Sequence, residues 1–215
     1  MVRRRVRIRY CKHGDLRLLG HRDLARAWER VFRRAGVGLR MSEGFHPKPR
    51  LSFPSALAVG VCGAAEVLEA EITCEGSAAE LAAALARCAP EGLAVTTVEW
   101  LPAGTPPSQV RRVVYELPVP RPWPLGLAER VARWPGEGPT TVDRGQGRRP
   151  IDLAALVEDV ELDGNVLRMR IRVTPQGTAR PREVLAALGL EDGEQQGFHL
   201  TRTVVELEPN EKAKS

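Results

Sequence analysis

The order of strand-like and helix-like segments constrains the fold of this chain more than any other feature of its sequence. The first segment alternates apolar residues, among them Val6 and Ile8, with arginines, which is the pattern of a strand with one buried and one basic face. The next segment carries its apolar residues at helical spacing and ends at Gly36. For the first half we predict a strand at 2–10, a helix at 21–35, strands at 51–61 and 67–73, a helix at 77–89 and a strand at 93–101. This β-α-β-β-α-β order predicts a ferredoxin-like domain with an antiparallel sheet.

The same order of elements recurs in the second half of the chain. We predict a strand at 110–119, a helix at 125–134, hairpin strands at 156–162 and 166–173, a helix from Pro181 to Gly189 and a strand at 198–207. The predicted fold is therefore α+β, with two tandem ferredoxin-like halves at residues 1–101 and 110–208. The proline-rich segment at residues 102–109 is the predicted linker, and we expect the polar tail, residues 209–215, to be disordered.

Length and composition exclude several classes of protein. The 215 residues are 43% hydrophobic and 27% charged, as in ordinary globular proteins. No apolar run approaches the ~20 residues of a membrane helix, and the N-terminus lacks the apolar stretch of a signal peptide, so we predict no membrane association. The four cysteines are scattered without a C-x-x-C pair, which argues against a zinc ribbon, an Fe–S site or a disulfide framework and favours the cytoplasm.

No cofactor and no metal site is predicted. The two phosphate-binding signatures, G-x-x-x-x-G-K-[ST] and G-x-G-x-x-G, are absent. Four possible metal ligands fall in the first half, namely Cys11, His13, His21 and His46. Their spacing matches no recognised metal-binding pattern.

Positive charge is concentrated at the front of the chain. Residues 1–50 hold 15 of the 32 Lys and Arg but only 4 of the 27 Asp and Glu, an excess of 11 positive charges, whereas the remainder has an excess of 6 negative charges. Such polarisation favours an anionic partner, with nucleic acid as the first candidate. The alternative is a solvated basic face without a partner.

The cations of the first predicted helix share one face. At 100° per residue they lie opposite the apolar stripe that contains Trp28 and Phe32. These four arginines are Arg22, Arg26, Arg30 and Arg33. The loop that follows adds an aromatic ring, an imidazole and two cations, which are Phe45, His46, Lys48 and Arg50. We predict that this surface contacts RNA, with tRNA and rRNA as candidates, and that Phe45 either stacks on a base or anchors the loop.

A glycine-rich basic segment at residues 143–150 is a weaker candidate for the same contact. It contains Arg148 and Arg149, and loops of this kind often carry function. The alternative is a long connection without a ligand.

The two histidines of the basic block are candidates for catalysis. His21 precedes the arginine row and His46 lies in the following loop. A pair of imidazoles can act as general base and acid on a ribose 2′-hydroxyl, with a lysine such as Lys48 stabilising the phosphorane. The simpler alternative is that His21 caps the helix and that His46 contacts a phosphate or occupies a turn.

Three segments carry a resemblance to a known family. They are residues 12–24 (K-x-G-x-L-R-x-L-x-H-x-D-L), residues 42–53 (S-x-G-F-H-P-x-P-x-L-S-F) and residues 177–185 (G-T-x-R-P-x-E-V-L). The chain resembles a radical-SAM-associated family of unknown function, whose members are often encoded beside, or fused to, a radical-SAM protein with a cobalamin-binding-like region. The family commonly has a serine where this chain has Gly20. The resemblance implies a radical-SAM partner, and since the C-x-x-x-C-x-x-C signature is absent, the chain is not the radical enzyme itself.

Three functional hypotheses follow from these observations. The first is an RNA-binding accessory protein that presents an RNA substrate to a radical-SAM partner. The second is a metal-independent endoribonuclease that uses the histidine pair, and the third is a protein-interaction scaffold for the radical-SAM partner. The binding surface outweighs the catalytic pattern, so we favour the first, in which the chain is not an enzyme by itself.

Overall fold

A computed structural model describes residues 3–119, 121–136, 140–145, 147 and 149–209, and of Gln195 and Gln196 it describes the backbone only. The chain is α+β, with strands that pair mostly antiparallel. It divides into two compact units: unit 1 comprises Met1–Gln109 and the residues from Glu208 on, and unit 2 comprises Val110–Leu207. No helix among the described residues is long and apolar enough to cross a membrane.

Besides a short 3₁₀ helix at Gly14–Leu18, the described part of unit 1 contains five strands and two α-helices. They are β1 (Arg3–Lys12), α1 (His21–Arg34), β2 (Gly38–Leu39), β3 (Leu51–Ser52), β4 (Cys62–Thr73), α2 (Ala78–Cys88) and β5 (Leu93–Leu101). Strand β1 is central and pairs antiparallel with both β4 and β5. Both short strands, β2 and β3, pair antiparallel with β4. The predicted helices and the predicted strands at both ends of unit 1 are confirmed to within about two residues.

The core of unit 1 lies between its sheet and its two helices. Alternation along β1 buries Val6, Ile8 and Tyr10 and leaves the arginines between them on the opposite face. The ring of Tyr10 packs edge-on against Trp28 of α1, with 5.1 Å between the ring centroids. The predicted apolar stripe of α1 is buried at its centre, at Leu24, Trp28, Val31 and Phe32. Ala27 joins it, whereas Ala25 and Ala35 lie at its margin.

The edge of the sheet beside β4 differs from the prediction of one strand at residues 51–61. The two-residue strands β2 and β3 follow one another along β4, because Leu39 pairs with Ile72 and Leu51 pairs with Ala70. The rest of the predicted strand is irregular. Proline has no N–H to donate to a strand ladder, and Pro54 falls in this segment. Strands of two residues are too short to show a periodic pattern, so the sequence could not reveal them.

The chain loops out of this edge between β2 and β3. The N–H of Arg40 donates to the carbonyl of Glu71 (2.8 Å), and the N–H of Glu71 donates to the carbonyl of Arg50 (3.0 Å). The N–H of Arg50 also donates to the carbonyl of Arg40 (2.7 Å). Residues 41–49 therefore leave and re-enter the edge at almost one point. We call residues 41–49 the edge loop.

The predicted start of the second helix is confirmed. The Ser77 hydroxyl accepts a hydrogen bond from the N–H of Glu80 (3.2 Å), and the Glu80 carboxylate accepts one from the N–H of Ser77 (2.7 Å). This reciprocal pair satisfies two donors that would otherwise have no partner at the helix end.

The strands of unit 2 also pair antiparallel. Its elements are β6 (Val110–Pro118), α3 (Leu127–Ala132), β7 (Thr141–Val142), β8 (Ile151–Asp152), α4 (Leu153–Leu156), β9 (Val157–Asp163), β10 (Val166–Thr174), β11 (Gly177–Thr178), α5 (Pro181–Ala187) and β12 (Thr201–Leu207). Strand β6 lies between β10 and β12, and β9 pairs with β10 across the predicted hairpin turn. Gly164 in that turn has a φ of 56°, a conformation that glycine adopts without strain.

Some predictions fall on residues outside the described part of the chain. They concern Val2 at the start of the first predicted strand, Arg148 in the glycine-rich segment, and residues 210–215 of the predicted tail.

Candidate nucleic-acid interface

The predicted arginine row lies on the exposed face of α1. Arg22, Arg26, Arg30 and Arg33 are all exposed, while Trp28 and Phe32 on the opposite face are fully buried. Arg26 contacts Asp23 at 3.4 Å, in an ion pair whose two side chains are more than half exposed. Such pairs contribute little to stability and leave the cation accessible. The other three arginines have no hydrogen bond or ion pair from their side chains to any described residue.

Arg5 and Arg7 of β1 are in a different situation, because carboxylates of unit 1 pair with them. Glu69 of β4 is only 2% exposed and accepts hydrogen bonds from Arg5 Nη2 (2.5 Å) and Arg7 Nε (3.0 Å). Arg7 Nη1 also donates to Glu99 of β5 (2.8 Å). The positive excess at the front of the chain is therefore not one surface. Arg5 and Arg7 on β1 have carboxylate partners, whereas Arg22, Arg30 and Arg33 on α1 have none among the described residues.

The predicted linker covers part of this arginine face. Arg5 Nη1 donates to the carbonyl of Thr105, and Arg7 Nη2 donates to the Ser108 hydroxyl (2.6 Å). That hydroxyl in turn donates to Glu69. Residues 105–108 are thus attached to the sheet of unit 1.

The sequence interpretation missed Glu69 as the partner of Arg5 and Arg7, and Glu71 as the partner of Arg40 and Arg50. Both lie on one face of β4, and Glu71 lies directly across from Arg5 in the strand pairing. The signal was present, since alternation in residues 67–73 places both glutamates on one face. This alternation identifies the arginine partners only once β4 is known to pair with β1.

Three buried or half-buried carboxylates have pKa values below the ordinary range. Burial of Glu69 acts to raise its pKa, but hydrogen bonds from Ser108, Arg5 and Arg7 outweigh it. In unit 2, hydrogen bonds likewise outweigh burial and lower the pKa values of Glu158 and Glu183. Glu158 accepts hydrogen bonds from Arg112 and Arg172. Glu183 accepts them from the Arg144 side chain and from the N–H of Arg180.

These lowered pKa values predict a loss of stability in acid. In the unfolded chain these carboxylates are protonated at about pH 4.3, which is above their pKa in the folded protein. Their contribution to the free energy of unfolding is therefore fully present above that pH and is lost as the pH falls through the folded pKa. We expect the free energy of unfolding, measured with urea, to be level between pH 7 and 5 and to fall below about pH 4.3. A Glu69→Gln variant should show a shallower fall. A free energy that is unchanged between pH 5 and 3 would contradict the prediction.

The edge loop presents its tip to solvent. The N–H of Ser42 donates to the carbonyl of Lys48 (2.7 Å), and the N–H of Lys48 donates to the Ser42 hydroxyl (2.9 Å), which closes the base of the loop. At the tip, Gly44 has a φ of 119°, in the region that favours glycine. The Phe45 side chain is 102% exposed, so it does not anchor the loop to any residue that the structure describes, and its ring is available for stacking.

The two cations of this segment differ in their surroundings. Lys48 is exposed, and no described residue accepts a hydrogen bond from its side chain. Arg50 Nη1 lies 3.3 Å from Glu71, which also accepts a hydrogen bond from Arg40 (2.8 Å). Arg50 therefore belongs to the charged sheet face, and Lys48 belongs to the loop.

The two histidines are both exposed, and the structure does not join them. The ring of His21, the first residue of α1, packs edge-on against Phe53 with 5.1 Å between centroids. Gly20 occupies the cap position, so the alternative that His21 caps the helix is wrong. His46 lies at the tip of the edge loop. Across the described residues, no hydrogen bond or ring contact connects His21, His46 and Lys48.

The basic segment of unit 2 is held in place by one of its arginines. Arg144 donates two hydrogen bonds to Glu183 (2.7 and 2.6 Å) and one to the carbonyl of Thr178 (2.9 Å). Arg149 is exposed, and its side chain has no partner within the described ranges. Throughout the described ranges, no three His, Cys, Asp or Glu side chains lie close enough to hold a metal ion.

Comparison with known proteins identifies the family of this chain. A profile of the family described as "Uncharacterized protein conserved in bacteria (DUF2344)" matches residues 5–181. No curated protein matches the chain. A similar solved structure is that of an unknown protein from Galdieria sulphuraria, at 13% identity and a TM-score of 0.29, covering 97% of this chain and 100% of that one. At that TM-score the likeness carries no argument.

Proposed function

Because the chain belongs to the uncharacterised bacterial family DUF2344, we propose its function from its own surface: it is an RNA-binding protein that uses the exposed face of α1. One observation carries the proposal. In a segment rich in arginine, Arg5 and Arg7 of β1 are paired with the carboxylates of Glu69 and Glu99. Arg22, Arg30 and Arg33 of α1 have no such partner among the described residues. Cations without internal partners on a rigid helix are suited to phosphate groups.

The dimensions of the arginine row support a contact with several phosphates. Arg22 and Arg33 are 11 residues apart, so the row is about 16 Å long at 1.5 Å per residue. Nucleic acid places a phosphate about every 3.4 Å along each strand of a duplex, so a row of this length spans several phosphates.

The edge loop favours RNA over double-stranded DNA as the partner. A fully exposed aromatic ring such as Phe45 suits stacking on unpaired bases, and proteins recognise RNA mostly at single-stranded loops, bulges and ends. Lys48, three residues away in the same loop, adds a cation for the adjacent backbone. We therefore propose structured RNA with unpaired bases, with tRNA and rRNA as the first RNAs to test.

We also propose that the chain presents this RNA to a radical-SAM protein. The support is the sequence resemblance of residues 12–24, 42–53 and 177–185 to a radical-SAM-associated family, together with the absence of the radical-SAM cysteine signature. The test is copurification with a radical-SAM protein of the kind that the resemblance implies, with and without nuclease. Association that persists after nuclease treatment would instead favour the scaffold hypothesis, in which the proteins contact each other directly.

Each unit is proposed to be a variant of the ferredoxin-like fold. The support is that the first strand of each unit is central: β1 lies between β4 and β5, and β6 lies between β10 and β12. The remaining edge is formed by β2 and β3 in unit 1 and by β9 in unit 2.

The proposed function predicts salt-dependent binding. If roughly 5 phosphates are contacted, the logarithm of the association constant should fall with the logarithm of salt concentration at a slope of about −3.5. Fluorescence anisotropy with labelled tRNA and with a labelled single-stranded RNA, between 50 and 300 mM KCl, measures this slope. No binding to either RNA, or an affinity that does not change with salt, would overturn the proposal.

The same samples test the endoribonuclease alternative. None of the described contacts joins His21 to His46, so the structure gives this alternative no support. RNA that stays intact on a denaturing gel, in EDTA and in magnesium alike, would exclude cleavage while leaving the binding proposal in place. Cleavage that is lost in His21→Ala and in His46→Ala would establish the alternative.

A further inference from the structure

A second basic surface lies on the face of the unit 1 sheet that points away from α1. Val6 and Ile8 of β1 enter the core with α1, so Arg3 and Arg5, which alternate with them, lie on the other face. Arg40 joins them there, because it pairs with Glu71, and Glu71 lies across from Arg5. A cavity of about 480 Å³ opens at this place, between these arginines and the turn at residues 102–105.

We propose that this cavity binds a phosphate group. Three guanidiniums on one sheet face, those of Arg3, Arg5 and Arg40, are opposed in the cavity wall by one carboxylate, that of Glu71. Glu69, which pairs with Arg5, is 2% exposed and lies outside this wall, so a ligand in the cavity meets more guanidinium groups than carboxylates. Such a surface matches a multiply charged anion better than a single carboxylate. Guanidinium groups bind phosphate oxygens in a planar, two-bond geometry.

Two of these guanidiniums are already held in position by the protein. Arg5 donates to Glu69 and to the carbonyl of Thr105, and Arg40 donates to Glu71 through Nη1. A guanidinium has five N–H donors, so each of these side chains keeps donors for a ligand. Groups that are ordered before binding lose less conformational entropy when the ligand arrives. Arg3 is exposed and has no side-chain partner within the described ranges, so it is available to close over the ligand.

The cavity has room for more than one phosphate. Its volume falls within the range of typical small-molecule sites. A second cavity of about 320 Å³, which shares Arg5 and Glu71 and also touches Arg50, adjoins it along the sheet. The site therefore fits a phosphate monoester or diphosphate, carried either by a small molecule or by the end of a nucleic acid strand.

Substitution of Glu71 and substitution of the arginines should change the phosphate affinity in opposite directions, which makes the proposal testable. Its carboxylate accepts hydrogen bonds from Arg40 and from Arg50, and it repels an anion that enters the same space. Removing its charge with Glu71→Gln should tighten phosphate binding about fivefold, since a like charge is lost and two cations are released. Removing a cation with Arg40→Gln or Arg3→Gln should weaken binding about tenfold.

The experiment is calorimetric titration of the full chain with pyrophosphate at constant ionic strength. The matched control is Arg87→Gln, which removes an exposed arginine of α2 that lines neither cavity. We expect saturable binding with one site, weakened by Arg40→Gln and Arg3→Gln, strengthened by Glu71→Gln and unchanged by Arg87→Gln. Thermal unfolding of each variant verifies that it is folded. The absence of saturable binding to the wild type, or an equal loss in Arg87→Gln, would overturn the proposal.

A second measurement separates the two sources of the phosphate. Short RNAs of one sequence, with a 5′-phosphate or a 5′-hydroxyl, are compared on the wild type and on Arg40→Gln. A preference for the 5′-phosphate that is lost in Arg40→Gln assigns the site to a nucleic acid end. Equal binding of the two RNAs, with pyrophosphate still bound, assigns it to a small phosphorylated molecule. The pyrophosphate titration does not depend on α1, so the site and the proposed RNA contact stand or fall separately.

Discussion

Replacing Glu69 with alanine is expected to lower the free energy of unfolding by about 3 kcal/mol, because it removes the buried partner of two arginines. The Glu69 side chain is 2% exposed, and those of Arg5 and Arg7 are 22% and 17% exposed, so water cannot fully replace the lost carboxylate. Ser108 loses its acceptor as well, and with it one attachment of residues 105–108 to the sheet. Urea unfolding at pH 7 measures the change.

The chain offers a matched control for this prediction. Glu99 is the same residue type and pairs with the same Arg7 at 2.8 Å, but its side chain is 55% exposed. Glu99→Ala should therefore cost less than about 1 kcal/mol. Glu69→Gln, which keeps the volume and an acceptor oxygen, should fall between the two. If Glu69→Ala costs no more than Glu99→Ala, the buried network does not stabilise unit 1 as described.

Reversing two charges of the arginine row is expected to lower the affinity for RNA by about two orders of magnitude. The variant is Arg30→Glu with Arg33→Glu, whose side chains have no described partner, so the fold should be unaffected. Each change removes a phosphate contact and adds a repelling charge, together about 3 kcal/mol for the pair, where 1.4 kcal/mol is a factor of ten. The salt slope should become shallower by about 1.4, since two contacts of about 0.7 each are lost.

The control for this variant has the same change of net charge at other places. Arg87→Glu with Arg133→Glu reverses two exposed arginines, at the ends of α2 and α3, outside the proposed surface. We expect a loss of less than fivefold from this pair, through the long-range effect of net charge. Equal losses in both double variants would show that RNA senses only the total charge, and the assignment to α1 would be wrong.

The sequence alone was sufficient where structure depends on neighbouring residues. The buried and exposed faces of α1 follow from helical spacing, and the capping pair Ser77 and Glu80 is visible as a four-residue pattern. Strand β5 was predicted with its exact bounds, since alternation over nine residues is a strong local signal. These features are set by backbone geometry within a few residues.

The strands at the edge of the unit 1 sheet could not be predicted from local sequence patterns. Residues 38–39 and 51–52 become strands because β4 offers them a line of backbone partners. Neither pair of residues has a pattern of its own. The edge loop between them is defined by hydrogen bonds between Arg40, Arg50 and Glu71, which lie up to 31 residues apart.

The charge distribution shows most clearly what the sequence determines and what the tertiary structure determines. The sequence by itself determined that the first 50 residues carry a large positive excess and that four arginines share one face of α1. Only the tertiary structure decided which of these cations are paired with carboxylates. The carboxylates that neutralise Arg5 and Arg7 are 62 to 92 residues away along the chain and reach them through the pairing of β1 with β4 and β5. The partner of a charge is chosen by distance in space, and sequence spacing reports that distance only within a single helix or strand.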